Sequence, residues 1–361
     1  MRLSRWLCAV CFILVFSACD PTPASPLPTP QPTAPGGAAT LAETGGDPIS
    51  VYFTNPASAL AVQARGGPDE ALAAAIDAAQ VSVDMAMFNL GLPSIRNALL
   101  DAYQRGLQVR LVVDSETYDD DAASRLRQAG IPVIGDQREE LMHNKFTILD
   151  GREVWTGSLN LSTGGTYSDY NNLVRIRSTR LAQDYTAEFE EMFLDRQFGS
   201  NSPVNTKYPR ITLDGRSLEV YFLPEDDVEN RLLDLVGSAQ ESVDFLAYSL
   251  TLDYLGRTLI ELETNGVSVR GVMDADQAAS NQGGEYEKLL KAGLDVRLDP
   301  FDGLMHHKVI IIDGKTVVFG SANFTRSGLF NNDENLIILK DPTAAGLFET
   351  EFERIYGLSQ P

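Results

Sequence analysis

Three histidines occur in the 361 residues of this chain, and all three lie inside one short pattern that is written twice. The first copy carries His143, Lys145, Asp150, Gly157, Ser158 and Asn160. The second carries His306, Lys308, Asp313, Gly320, Ser321 and Asn323. Both read His-x-Lys-x4-Asp, then Gly-Ser-x-Asn at the same distance. An imidazole attacks or moves protons near neutral pH, and an ammonium beside it suits an anion. The hydroxyl and the amide add neutral hydrogen-bond donors. One copy thus supplies a nucleophile or acid, a cation and donors, and two halves packed face to face would supply two of each.

The elements around the pattern explain how these groups would meet. Apolar runs follow each His-x-Lys, Phe146 to Leu149 and Val309 to Ile312, and such runs are strands whose side chains alternate between faces. His and Lys stand two apart and share a face. His307, the spacer of the second copy, points the other way and is read as structural. Turns at Asp150-Gly151 and Asp313-Gly314 reverse the chain into second strands, which return Ser158 and Asn160, or Ser321 and Asn323, toward the same end. Asp150 and Asp313 are counted with the catalytic set, although holding the turn accounts for them equally well.

The repeat extends far beyond the pattern. Strand-like Val51-Tyr-Phe matches Val220-Tyr-Phe, and Ser82 to Phe88 matches Ser242 to Tyr248. Helical spacing of apolar residues predicts helices over 69–79 and 228–239, then 93–105 and 253–265, each of the later pair stopped by a glycine (Gly106, Gly266). Strands ending in Asp114 and Asp274, helices over 122–129 and 285–292, and closing helices over 180–193 and 343–356 complete the series. The alternation predicts an α/β fold of two homologous halves, each a mixed β-sheet flanked by helices. The halves would pack as a pseudo-dimer with one active site at their seam. The motifs stand 163 residues apart (143 to 306), the size of a domain rather than of a solenoid repeat.

The N-terminus is a different kind of chain. Residues 1–18 carry Arg2, Arg5 and an apolar run from Leu7 to Phe16, a signal-peptide pattern too short to span a membrane stably. Ser17-Ala18-Cys19 resembles a bacterial lipoprotein processing box, which makes Cys19 the expected lipidation site; plain secretory cleavage is the alternative. Residues 19–47 then form a Pro-rich spacer. The expected domains are 48–198 and 218–361, joined by a polar linker, 199–217. No cysteine follows Cys19, so the body holds neither a disulfide framework nor a thiolate metal site. The net charge of −21 opposes non-specific grip on nucleic acid.

With these residues in view, the doubled motif resembles the phospholipase D superfamily over roughly residues 48–358. The resemblance implies two-step phosphoryl transfer without metal or other cofactor. One histidine attacks phosphorus, and the other protonates the leaving alcohol and then activates water or an acceptor alcohol. Lys145, Lys308, Asn160 and Asn323 would hold the phosphate oxygens, with Ser158 and Ser321 counted beside them. The family's Asn-x-Glu-Asn pattern, which orients a catalytic histidine, is met by Asn332-Asp-Glu334-Asn335. Asn171 stands at the matching place in the first half, where only Asp169 is near enough to substitute. The expectation is that Glu334 braces His306 as general acid and that His143 is the nucleophile.

The leading function is a secreted, lipid-anchored monomer that cleaves phospholipid head groups on the outer face of the cytoplasmic membrane. A nuclease of the same superfamily, a cardiolipin-synthase-like phosphatidyl transferase and an inactive binding module are the alternatives.

Overall fold

Buried apolar runs alternating with amphipathic stretches fold as two mixed sheets with helices on their faces, as the repeat predicts. The computed structural model describes residues 46–280 and 282–359. The expected signal peptide, Cys19 and nearly all of the Pro-rich spacer lie outside the described residues. Among the described residues no helix is long and apolar enough to cross a membrane.

The first sheet contains β1 (Ile49–Phe53), β2 (Ser82–Met87), β3 (Gln108–Val113), β4 (Val133–Gly135), β5 (Lys145–Leu149), β6 (Glu153–Gly157) and β7 (Asn172–Arg177), in the order β1-β7-β6-β5-β2-β3-β4. The second contains β8 (Arg210–Leu213), β9 (Arg216–Leu223), β10 (Ser242–Ala247), β11 (Ser268–Met273), β12 (Asp295–Leu298), β13 (Lys308–Ile312), β14 (Thr316–Gly320) and β15 (Glu334–Lys340), in the order β12-β11-β10-β13-β14-β15-β9-β8. In each, three strands run parallel and the motif strand pairs antiparallel to the first of them: β5 on β2, and β13 on β10. The stretch expected as a linker contains a strand, β8, because Ile211 is buried beneath the edge of β9.

Alternation decides which face of a sheet meets which layer. In the first sheet, Val83, Met85 and Met87 face the helices Pro68–Ala78, Pro93–Gln104 and Asp121–Gln128. Ala86, Phe146 and Ile148 face the other way, into a core shared by both halves. The helices Thr179–Phe193 and Pro342–Leu358 contribute to that shared core, where Tyr185 meets Phe222 of the second half edge to face at 4.9 Å. Truncating a ring of this kind to alanine costs about 3–5 kcal/mol. Gly106 and Gly266 both sit at φ +89, the left-handed conformation their places after the helices call for.

The seam is also stitched by backbone. Met142 bridges to Asp333 and Tyr170 bridges to Met305, each in parallel sense. His143 donates its amide to the Asp333 carbonyl (2.9 Å), and His306 donates its amide to the Tyr170 carbonyl (2.9 Å). Each motif loop is therefore held by the segment preceding the last strand of the opposite half.

Candidate active site

Both catalytic clusters form where parallel strands end. Lys145 opens β5 beside Met87, and Lys308 opens β13 beside Ala247, so each stands at the carboxyl edge of its sheet, where open α/β sheets bind ligands. At the same edge Asp114 and Asp274 accept the amides of Met142 and Met305 (3.0 and 3.1 Å), which sets the loop that carries each histidine. Both aspartates close strands identified in the sequence, yet their role depends on a contact about thirty positions downstream.

The histidine partners are exchanged between halves. His143 Nδ1 lies 2.7 Å from Glu334 Oε1, and Glu334 is fully buried. A carboxylate only accepts, so Nδ1 carries the proton and Nε2 keeps its lone pair. His306 Nδ1 instead faces Asn171 Oδ1 (2.9 Å) and the Ser158 carbonyl (3.2 Å). The Asn171 amide is oriented by donating Nδ2 to the Gly165 carbonyl (2.8 Å), which leaves Oδ1 for His306. This corrects the expectation that Glu334 braces His306: the residue that opens the last strand of the second half, and the one just before the last strand of the first, each serve the histidine of the other half. Asp169 does not substitute, because its Oδ1 accepts the Leu304 amide (3.0 Å).

Lys145 and Lys308 are buried and donate to the carbonyls of His143 and His306 (2.9 and 2.8 Å). Phe88 and Tyr248 cover each pair, with ring centroids 5.0 and 4.7 Å from the two imidazoles and 5.1 and 4.7 Å from the two ammoniums. These aromatics were not among the expected site residues. The signal was present, since each directly follows a matching strand.

Electrostatics ties the two halves into one centre. Burial, helped by Lys145 and Lys308, pulls His143 down to about 4 even though Glu334 opposes it. Burial, then the charges of Lys308, Lys145 and His143, holds His306 well below the usual histidine value. Both rings are neutral at pH 7. Burial brings Lys145 down to about 7, and burial with repulsion from Lys145 pulls Lys308 well below its ordinary value. Burial pushes Glu334 up, but the charge and hydrogen bond of His143, and then Lys145, outweigh it and keep it an anion. Both ammoniums face Glu334, with Asp114 also acting on Lys145 and Asp274 and Asp169 on Lys308.

The remaining expected residues divide. Asn160 and Asn323 are half-buried and each presents a buried Oδ1 with no hydrogen-bond partner among the described residues. A half-turn of the amide would offer a donor to an anion there. Ser158 and Ser321 are fully buried, and here the expectation of phosphate contact is corrected. Ser158 Oγ donates to Asn171 Oδ1 (2.8 Å) and accepts the Asn172 amide (3.1 Å). Ser321 accepts the Asn335 amide (3.0 Å) and supports Glu334. Both position the histidine partners.

Asp150 and Asp313, counted with the catalytic set, are also corrected. Each lies at the far end of its strand, roughly 17 Å of chain from the lysine. Asp150 Oδ1 accepts the amides of Gln80, Val81 and Ser82, and Asp313 Oδ1 those of Gln240, Glu241 and Ser242, all at 2.7–3.1 Å. They clamp the strand β2 or β10 to the hairpin turn. Asp150→Ala or Asp313→Ala is expected to lower stability by about 1–3 kcal/mol in urea titration while leaving kcat/KM unchanged.

His307 is structural as expected. Its Nδ1 accepts from Asn172 Nδ2 (2.9 Å) and its Nε2 donates to Glu351 (3.2 Å).

Comparison with known proteins agrees with this geometry. Residues 72–193 and 232–356 match the family described as cardiolipin synthase, PLD-like domain. The chain is 37% identical over 129 residues to a mitochondrial cardiolipin hydrolase of Chlamydomonas reinhardtii, a match covering 36% of this chain and 57% of that protein. It is 33% identical over 142 residues to a phospholipase D of Rickettsia prowazekii, covering 39% and 68%. The chain thus spans little more than half the length of the cardiolipin hydrolases it matches. The solved phosphatidylserine synthase of Haemophilus influenzae shares the fold, with a TM-score of 0.63 at 14% identity over 86% of this chain and 87% of that one.

Proposed function

For a chain that belongs to the family of cardiolipin synthase, PLD-like domains, we propose that the activity is cleavage of phospholipid head groups, or transfer of the phosphatidyl group to an alcohol, through a phosphohistidine. The observation that carries this reading is the pair of buried imidazoles, each with Nδ1 committed and Nε2 without a hydrogen-bond partner among the described residues, flanked by two ammoniums across one seam.

A phosphodiester monoanion is received between the two lysines, Lys145 and Lys308. His143 Nε2 attacks phosphorus as the bond to the leaving alcohol breaks, and His306, which takes up a proton with the anionic substrate, donates it to that alcohol. Glu334 offsets the positive charge that the His143 ring carries as a phosphohistidine. His306 then removes a proton from water or an acceptor alcohol, whose oxygen displaces the His143 nitrogen from phosphorus. Lys145 and Lys308 neutralise the phosphate oxygens and Asn160 and Asn323 donate hydrogen bonds to them, so the chemistry calls for no metal.

A lipid substrate is favoured over nucleic acid by the names of the relatives and by the charge of −21. Near the site a recess of about 500 Å3 is lined by Tyr167, Tyr170, Pro300 and Phe301 together with the polar Ser168 and Asp302, and Tyr170 is bonded through its backbone to His306. The test incubates the protein with phosphatidylcholine vesicles and, separately, with single-stranded DNA, both under chelator. Choline release without nicking supports the reading, and nicking alone overturns it. We further propose that Cys19 tethers the body to the outer face of the membrane; a Cys19→Ala protein that stays with the membrane fraction would contradict this.

The pH dependence follows from the free protein's groups. Below about 4 His143 is protonated and cannot attack, and above about 7 Lys145 loses the charge that receives the anion. A plot of kcat/KM against pH should rise through the first value and fall through the second. A plateau extending to pH 9 would contradict the second assignment.

A further inference from the structure

The two halves differ at one buried place behind the site. In the second half, the Glu351 carboxylate receives His307 and is clasped by Arg354, at 2.6 Å from Nη2 and 2.8 Å from Nε. In the first half, Asn144 holds the place of His307 and donates to Glu188 (3.1 Å), the counterpart of Glu351. The counterpart of Arg354, three residues on along the helix Thr179–Phe193, is another carboxylate, Glu191. Glu225, from the turn after β9, completes the cluster.

Ligand oxygens of Glu188, Glu191 and Glu225 lie within 4.8 Å of one another. Glu188 and Glu191 are 2% and 3% exposed, and Glu191 Oε1 has no hydrogen-bond partner among the described residues. Its other oxygen accepts from Asn205 (2.8 Å). The leading charges on the three are carboxylates: Glu225, Glu191 and Asp333 on Glu188, Asp195 and Asp226 on Glu191, and Glu191 and Asp226 on Glu225. Burying such a group without a cation is costly, and the related half shows the remedy as a guanidinium.

We propose that Glu188, Glu191 and Glu225 bind one hard divalent cation, of which calcium is the type, where the other half carries the guanidinium of Arg354. Oxygen ligands alone select this class, and bonds of about 2.3–2.6 Å span the separations present. The ion joins the helix Thr179–Phe193 to the turn after β9. Through Glu188, Asn144 and Asn335 it braces the backbone beside His143 and Glu334. It stands apart from the reacting atoms, so chelation lowers stability without removing the chemistry.

The experiment takes chelator-treated, dialysed protein and adds calcium chloride, reading heat of binding and the melting temperature. One site per chain is expected, with Tm raised by about 5 °C at saturation. Glu191→Gln should lose both responses. Glu191→Arg, which copies the second half, should be calcium-independent and melt near the calcium-loaded wild type. If Glu191→Gln fails to fold, Glu225→Gln on the more exposed turn is read in the same way. No heat and no shift in the wild type would overturn the proposal and mean that the carboxylates share protons. A shift undiminished in the glutamine variant would overturn it as well, by placing the ion elsewhere.

Discussion

Replacing His143 by alanine is expected to lower kcat for phosphodiester cleavage by about ten-thousand-fold or more, and His306→Ala by a comparable factor. The two losses should differ in kind. Glu334, 2.7 Å from Nδ1, fixes the proton of His143 there and leaves the lone pair on Nε2. Without that ring no covalent intermediate forms, so protein quenched in alkaline denaturant should carry no phosphoryl group. His306 is oriented by a neutral amide and a carbonyl, and burial makes it a ready proton donor once protonated. In His306→Ala a substrate with a good leaving group, such as a nitrophenyl ester, no longer needs that proton. Phosphate should then build up on His143, since hydrolysis still lacks its base. Mass spectrometry of the quenched peptides checks this, and phosphate found on His306 in the wild type would reverse the assignment.

Glu334→Gln should cost kcat about 10^2- to 10^4-fold, with the smaller effect on KM. The substitution keeps shape and a hydrogen-bond acceptor, so it tests charge rather than packing. Glu334 is fully buried and opposes the desolvation of His143. Neutralising it therefore moves the acid limb of kcat/KM to a pH below the wild-type value of about 4, and leaves the phosphorylated ring without its counter-charge. A merely structural glutamate would lower stability without moving that limb. Asn171→Asp is the complement: it gives His306 a carboxylate and should raise the pH at which that ring titrates. If Glu334→Gln stayed within tenfold of wild type at every pH, the brace would have no part in the chemistry.

The two predictions rest on an exchange across the seam that reading along the chain did not anticipate. Glu334 was matched to the histidine of its own half, because sequence motifs are counted within a repeat. The actual partner lies 191 positions away, reached because Asp333 pairs with the loop at Leu141 and Met142. Ser158 and Ser321 were placed with the phosphate ligands because their strands return to the correct end. They do return there, but their hydroxyls are consumed by Asn171, Asn172, Asn335 and Glu334. Asp150 and Asp313 were ambiguous between turn and chemistry. Three backbone amides at one carboxylate oxygen resolve each of them as a clamp.

Local chemistry was enough to reveal the rest. Period-two burial placed His and Lys on one face of a strand. Glycines after helices marked their ends, and a domain-length repeat with matched histidines implied two α/β halves around one site. Such features depend on neighbours a few residues apart, where sequence spacing and spatial spacing coincide. Which half steadies which histidine, and which carboxylates are left facing one another behind it, depends on how two sheets dock. That is set by the shared apolar core from Phe146 to Phe348 and by the two crossing backbone bridges. Packing between distant segments leaves no periodic trace in either of them, and for that reason the partner of each imidazole became visible only in the folded chain.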